Sequence, residues 1–301
     1  MTSEWVGAVP CPPGPRRFSD WFTGPVTRVD PADPAPVPEP LSESESEPAG
    51  ARPDRGRVLR TEILLVLAVS VGASAVYAAL SLLRRLLAPI PLSQSQATLN
   101  GSYAPGQPWL DLAFQLAGIA FGVVPALLAL HLLTRDGLPP RAIGVDARRP
   151  GGDLARGALL ATLVGGPGLL LYLGAYRLGV SATIVPSALP DVWWRIPVLV
   201  LSAAMNATLE EVVIVGYLLT RLRQVGWDAR WAVLASAALR GSYHLYQGAG
   251  AFFGNAVMGL LFGWFFLRTR RVMPLVVAHT LLDVAAFVGY TALAGRVAWL
   301  P

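Results

Sequence analysis

Long apolar stretches, separated by short polar connections, make up most of the chain after residue 57. A helix needs about 20 mainly apolar residues to cross the hydrocarbon core of a bilayer. About seven stretches meet this requirement, and an eighth is left open around residues 178–200. The seven are 61–83, 109–133, 155–176, 194–222, 230–247, 251–268 and 272–293. The sequence therefore predicts an all-α, polytopic transmembrane helix bundle over residues 57–301.

The composition agrees with a membrane protein. Hydrophobic residues make up 53% of the 301 residues and charged residues only 14%, whereas soluble domains carry about 25% charged residues. The formal net charge is +5, and the chain contains arginine but no lysine. The arginines cluster beside the apolar stretches, where they would face anionic headgroups, so we expect membrane lipids as partners and no nucleic acid. The single cysteine, Cys11, excludes an internal disulfide.

Residues 1–56 differ from the rest of the chain because they are rich in Pro, Ser and Glu, with an acidic run from Glu39 to Glu47. Such a segment cannot bury enough apolar surface to offset the entropy lost on ordering. We therefore predict a disordered tail over residues 1–56.

Arginines are expected to concentrate in cytoplasmic connections. They do so in alternate connections, at 134–156, 221–230 and 268–271, and again just before the first span. The tail is therefore predicted to be cytoplasmic, in a multi-pass protein of a bacterial cytoplasmic membrane. Arg84 and Arg85 depart from the rule, since they would lie at the outer end of the first span.

Polar and ionisable residues interrupt the spans in the second half of the chain. An ionisable residue costs roughly 2.5–3.5 kcal/mol within a membrane helix, so each needs a reason. The polar set is Asn206, Glu210, Glu211, Arg240, His244, Asn255, His279 and Asp283. At 1.5 Å per residue, these residues lie about 10–20 Å from the arginine-rich ends of their spans. Agreement in depth between four helices favours a single buried site over unrelated structural residues.

Spacing relates the members of this set to one another. Two pairs are four residues apart and would share one helix face: Arg240 with His244, and His279 with Asp283. We expect the carboxylate of Asp283 to orient the imidazole of His279. Glu210 and Glu211 are neighbours whose side chains diverge by about 100°. One is therefore expected to face a cavity and the other a neighbouring helix, with Arg240 as its partner.

In this order the residues resemble the motifs of the CPBP family, which comprises CAAX proteases and bacteriocin-processing enzymes and is also called the Abi family. Glu210–Leu219 resembles the first motif, Arg240–His244 ends as the second does, and His279–Asp283 is similar to the third. The resemblance covers about residues 194–290. It implies a polytopic intramembrane protease similar to CAAX prenyl endopeptidases.

The resemblance also implies roles for individual residues. Glu210 would act as the general base toward a water, and His244 would hold that water or take part in proton transfer. His279 would stabilise the developing oxyanion, and Asn255 or Asn206 would add a donor. The predicted catalytic set is completed by Glu211, Arg240 and Asp283.

The cofactor is left open between two alternatives. Glu210, His244 and His279 would make a catalytic zinc set, and the family is often labelled metalloprotease. Similar members have been interpreted as metal-independent glutamate proteases, and the sequence lacks the His-Glu-x-x-His helix motif. We favour the metalloprotease label and leave the zinc ion itself open.

Two positions depart from the family pattern. Val215 stands where the family usually has arginine, and Arg240 where it usually has phenylalanine. We hypothesise that the changes compensate, with Arg240 supplying from the next helix the guanidinium that position 215 lacks and Glu211 as its partner. Without such compensation the chain would be an inactive member of the family.

The substrate is expected to be a peptide or a membrane-protein segment, because prenylated CAAX proteins are not the expected targets in a bacterium. Two other functions stay open. A catalytically inactive membrane scaffold or immunity protein on the same fold is favoured by Val215. An ion-coupled transporter would also bury Glu, His and Asp, but the sequence shows no inverted repeat and no pair of broken helices.

Overall fold

The computed structural model describes residues 54–89, 91–293 and 296. The predicted tail, residues 1–56, lies outside the described residues except for its last three. The described part is mostly helical. Its α-helices in chain order are α1 (Arg55–Ala68), α2 (Val71–Leu86), α3 (Pro108–Gly122), α4 (Val124–Arg135), α5 (Pro150–Arg177), α6 (Arg195–Glu210), α7 (Leu218–Gln224), α8 (Ala229–Ser242), α9 (Ala249–Thr269) and α10 (Met273–Leu293).

Two short strands, which the all-α prediction missed, accompany the helices. They are β1 (Gln96–Gly101), before α3, and β2 (Thr183–Ala188), before α6. The strands pair in parallel, with Gln96 opposite Thr183. β-Branched residues such as Val185 favour this extended conformation. The strands were missed because each is only six residues long and lies in a connection between predicted spans.

Five helical segments within the described residues are long and apolar enough to cross a membrane. They are Pro108–Arg135 (α3 and α4), Pro150–Arg177 (α5), Arg195–Gln224 (α6 to α7), Ala249–Thr269 (α9) and Met273–Leu293 (α10). The pair α1 and α2 passes the same test together but is bent by 52°, and it raises the number to six if it is one span. These helices indicate a multi-pass membrane protein, with five or six candidate spans where the sequence predicted about seven.

The predicted span 230–247 accounts for much of this difference. α8 covers only 14 residues, and a 3₁₀ helix follows at Leu245–Gln247. The chain then turns at Gly248, whose φ of 110° lies in a region that glycine adopts without strain. The turn agrees with the predicted end of the span at residue 247, but the α-helix itself ends five residues earlier, at Ser242.

The span that carries both glutamates changes helix type in its middle. α6 ends at Glu210, and a π-helical segment over Glu211–Tyr217 joins it to α7. All residues of the π-helical segment are buried. Gly216 permits this close packing, because a Cβ there would lie 2.9 Å from Ile143 Cδ1 and 3.0 Å from Val272 Cγ2. π-Helical turns are rare and occur frequently at functional sites.

Buried ion pairs join segments that are distant in sequence. Arg221 of α7 lies 2.7 Å from Glu62 of α1. Arg271, between α9 and α10, lies 2.6 Å from Asp153 of α5 and 3.1 Å from Asp146 in the connection before it. These contacts hold the helix ends, while α10 packs against α5 and α6 and positions its polar residues beside the two glutamates.

Candidate active site

A cavity of about 830 Å³ lies among α2, α3, α5, α6, α9, α10 and the two strands. The predicted residues that line it are Glu210, His244, Asn255, His279 and Asp283. Glu211 and Arg240 do not line the cavity, but both are fully buried and contact residues that do. The structure therefore brings all seven residues of the predicted catalytic set to one cavity and its wall.

Glu210, the last residue of α6, is only 5% exposed. The hydroxyl of Tyr243 donates a hydrogen bond to its Oε2 at 2.6 Å, and Arg240 Nη2 lies 3.3 Å from the same oxygen. Within the described residues no hydrogen bond uses Oε1 of Glu210. One carboxylate oxygen is thus held by two donors, and the other is available to a water or a substrate in the cavity.

Glu211, Arg240 and His279 form a compact buried triangle. Arg240 Nη2 lies 2.6 Å from Glu211 Oε1, and His279 Nδ1 lies 2.8 Å from that oxygen. The third side, between Arg240 Nη2 and His279 Nδ1, measures 3.0 Å. Because an ionised carboxylate can only accept, both nitrogens donate to Glu211. The predicted contact between Arg240 and Glu211 is present, and Glu211 also binds the imidazole.

Asp283 is not the closest partner of His279, contrary to the expectation from their four-residue spacing. Its Oδ1 lies 3.6 Å from Nε2, which is longer than a hydrogen bond. Its Oδ2 accepts a hydrogen bond from Asn206 Nδ2 at 3.0 Å, so an amide on α6 competes for this carboxylate. Glu211 therefore fixes the orientation of the imidazole, and Asp283 has the weaker influence.

The two adjacent glutamates were expected to diverge, and both in fact reach Arg240. Helix type explains this, because the wider π-helical segment begins at Glu211 and its geometry differs from that of the α-helix assumed for the sequence. Their surroundings still differ: Glu210 lines the cavity and Glu211 does not.

His244 lies in the turn after α8 and not on the helix itself. Its Nδ1 lies 3.0 Å from the backbone carbonyl oxygen of Arg240. Since a carbonyl can only accept, Nδ1 carries the proton, and Nε2 is the acceptor of the neutral ring. Asn255, on α9, donates to the carbonyl of Ala251 at 3.0 Å. Both side chains thus have one nitrogen fixed by the backbone while they line the cavity.

Tyr243 is the functional residue that the sequence analysis missed. It is 6% exposed, it binds Glu210, and its ring centroid lies 4.7 Å from that of His244. A buried tyrosine hydroxyl usually finds a hydrogen-bond partner. Its place beside His244 was the available signal.

The donor geometry does not fit the zinc set that was considered. No group of three or more His, Cys, Asp or Glu side chains in residues 54–89, 91–293 and 296 is arranged to hold a metal ion. The Arg240 guanidinium lies within 3.3 Å of Glu210. A second cation beside this buried guanidinium would be repelled.

A mostly helical bundle with several candidate spans and a buried cluster of carboxylates, imidazoles and a guanidinium defines a class: multi-pass membrane proteins with an ionisable intramembrane site. Residues 192–285 match the family model described as type II CAAX prenyl endopeptidase Rce1-like. No curated protein and no solved structure matches the chain. The match includes all three motifs, confirms the resemblance stated from them, and supports a protease-type function.

Proposed function

We propose that this protein is an intramembrane endopeptidase that hydrolyses a peptide bond of a membrane-associated protein or peptide. The observation that carries the proposal is the state of Glu210. Its Oε2 is held by Tyr243 and Arg240, while Oε1 is unused on the wall of an 830 Å³ cavity. A carboxylate held at one oxygen is oriented to accept a proton at the other.

In the proposed reaction, Glu210 takes a proton from a water as the water oxygen attacks the carbonyl carbon of the substrate. The new carbon–oxygen bond gives a tetrahedral intermediate with a negatively charged oxygen. Glu210 then returns the proton to the leaving nitrogen as the carbon–nitrogen bond breaks. The products are a carboxylic acid and an amine, which become a carboxylate and an ammonium group by proton transfer between them, so atoms and charge balance without a further reactant.

The histidines have distinct parts in this scheme. His244 accepts a hydrogen bond from the attacking water through Nε2, because its Nδ1 proton is bound to a backbone carbonyl. His279 is fixed by Glu211 at Nδ1, and its Nε2 faces Asp283 and the cavity. In the imidazolium form His279 carries a proton on each nitrogen, and it then donates from Nε2 to the developing oxyanion while Glu211 balances its charge. Asn255 supplies a further polar group on the opposite helix.

No metal ion is assigned a step in this scheme. Whether the protein is a metalloprotease is decided by measuring its zinc content and the sensitivity of cleavage to chelators. Val215 favours the alternative of an inactive scaffold. The contact of Arg240 with Glu211 favours an active enzyme instead, because it supplies the guanidinium that position 215 lacks.

For the topology, we propose a cytoplasmic N-terminus in a bacterial cytoplasmic membrane. The α8 helix and the turn after it, residues 229–247, would then form a short seventh crossing that holds His244 within the membrane. Cysteine-accessibility labelling from each side of the membrane, with new cysteines at Asp146 and Asp191, tests the orientation. Labelling of both positions from one side would contradict it.

The test of the function is cleavage of a quenched peptide library by detergent-purified protein. Wild type should cleave, and Glu210→Gln and His244→Ala should lose cleavage while they keep their helical content. Zinc is measured on the same preparations. A folded wild type that cleaves nothing, together with specific capture of a membrane partner that Glu210→Gln retains, would favour the scaffold.

A further inference from the structure

Arg85 lies in the last turn of α2 and is only partly exposed. Its Nη1 is buried and has no hydrogen-bond partner among the described residues. No carboxylate of the described chain lies within ion-pair distance of Arg85, in contrast to Arg221, Arg240 and Arg271. A partly buried guanidinium without an acidic partner needs a reason, because its desolvation is otherwise uncompensated.

The position of Arg85 connects it to the cavity. Val71 and Ser74 of α2 line the cavity, and Ala78 is buried on the same helix. Positions 71, 74, 78 and 85 follow the spacing of one helix face, so Arg85 lies at the far end of the face that α2 turns toward the cavity. α2 also packs against Leu245–Gln247. Arg85 does not itself line the cavity, and this packing places it behind the wall that carries His244.

Tyr246 lies in the turn against which α2 packs. Its side chain lines the cavity. Gln247 donates to the Tyr246 hydroxyl at 2.9 Å, which holds the phenol in place. Since Tyr246 follows His244 by two residues, a group bound by Arg85 lies close to the proposed site of hydrolysis.

We propose that Arg85 forms a carboxylate-binding subsite at one end of the cavity, which holds an acidic group of the peptide substrate. The inference rests on the proposed peptidase function. A guanidinium matches a carboxylate with two parallel hydrogen bonds, and such charge-assisted bonds are the strong ones. The carboxylate is either the free C-terminus of the peptide or an Asp or Glu side chain within a few residues of the cleaved bond.

A lipid phosphate is the less favoured occupant. The neighbouring Arg84 is exposed, as an arginine that meets headgroups would be, whereas Arg85 is only partly exposed. The two adjacent arginines thus have different surroundings despite equal charge. Arg84 is therefore a matched control for the charge of this helix end.

The experiment measures peptide binding to Glu210→Gln protein in nonionic detergent, so that binding does not depend on hydrolysis. The probes are three fluorescein-labelled apolar nonapeptides: one with a free C-terminal carboxylate, one amidated, and one amidated with an internal Asp. Arg85→Gln should weaken binding of a carboxylate probe about 10- to 100-fold. Arg85→Lys should weaken it less, and Arg84→Gln should leave it unchanged. The first and third probes distinguish the terminal from the side-chain carboxylate.

Several results would overturn the subsite. They are equal binding of all three probes, equal effects of Arg84→Gln and Arg85→Gln, no binding of either carboxylate probe, and an Arg85→Gln effect confined to vesicles that contain anionic phosphatidylglycerol. The proposed function fails in a different way. If cleavage requires Glu210 but is unchanged in Arg85→Gln, only the subsite is contradicted. If Arg85 binds the carboxylate probes but wild type cleaves nothing, only the peptidase function is contradicted.

Discussion

The Nδ1 atom of His279 lies 2.8 Å from Oε1 of Glu211, a carboxylate that does not itself line the cavity. The imidazole is thus oriented by a residue that lies outside the cavity lining. Its Nε2 lies 3.6 Å from Asp283, and that carboxylate is bound by Asn206. This arrangement makes Glu211 the positioning residue for His279, and it leaves Glu210 free to serve as the base.

Exchange of the two carboxylates for amides should therefore have unequal effects. Glu211→Gln is expected to lower kcat about 100-fold. It should also lower the Tm, because a buried charge such as that of Arg240 left without its partner costs about 3–5 kcal/mol. Asp283→Asn is expected to lower kcat only about tenfold. Cleavage kinetics and thermal melting measure both effects, and a larger loss in Asp283→Asn would contradict the assignment.

Removal of the Tyr243 hydroxyl should impair the base directly. Tyr243→Phe deletes the hydrogen bond to Glu210 Oε2, and we expect kcat to fall about 10- to 100-fold with little change in KM. Tyr217→Phe is the matched control, since it deletes a buried bond of 2.9 Å between the span that carries Glu210 and Glu62 of α1, away from the cavity. The control should lose stability and keep its kcat. Equal kcat losses in the two variants would show that Tyr243 acts only through stability.

The compensation between positions 215 and 240 can be tested by exchange. Arg240→Phe alone should abolish cleavage, because it leaves Glu211 buried without its guanidinium. Val215→Arg with Arg240→Phe should restore activity, since it returns an arginine to the span that carries Glu211. Circular dichroism and cleavage are measured together. A folded double variant without activity would count against the compensation.

Asp146 should give the protein a pH-dependent stability. The pKa of Asp146 is held below its ordinary value, first because its carboxylate accepts a hydrogen bond from the backbone of Arg148 and second because it binds Arg271. A lowered pKa stabilises the folded state above the ordinary value, and this stabilisation is lost as the pH falls through the folded value. The Tm difference between wild type and Asp146→Asn should therefore be largest near pH 7 and shrink below about pH 4.

The control for this effect is Asp191→Asn, which removes the exposed partner of Arg195. A surface pair contributes little, so this variant should melt like wild type across the pH range. A Tm difference for Asp146→Asn that stays constant from pH 7 to pH 3 would contradict the role of its carboxylate.

Much of the site followed from the sequence, because its residues are costly in a membrane and therefore conspicuous. Depth along each span placed Glu210, Arg240 and His279 at one level, and the structure brings them together. The hydrogen-bond partner of the His279 imidazole, in contrast, was not predicted from the sequence. The partner of His279 depends on the π-helical segment that begins at Glu211 and on the contact of Asn206 with Asp283. The spacing of residues along one helix predicts neither.

The fold was predictable in kind but not in detail. Apolar length indicated the helices and the break near Gly248, whereas the earlier end of α8 at Ser242 and the 3₁₀ helix after it were not predicted. The parallel pairing of β1 with β2 joins residues that are far apart in sequence. Such long-range pairing is decided by tertiary packing rather than by local pattern.

The central claim is that Glu210 activates the water. The most direct measurement is kcat/KM of Glu210→Gln and Glu62→Gln against wild type on the best-cleaved library peptide. Glu62 is also a buried glutamate paired with an arginine, but it lies outside the cavity. We predict that Glu210→Gln loses about 1,000-fold or more, while Glu62→Gln keeps its activity when it is folded. Cleavage by folded Glu210→Gln at the wild-type rate would contradict the account.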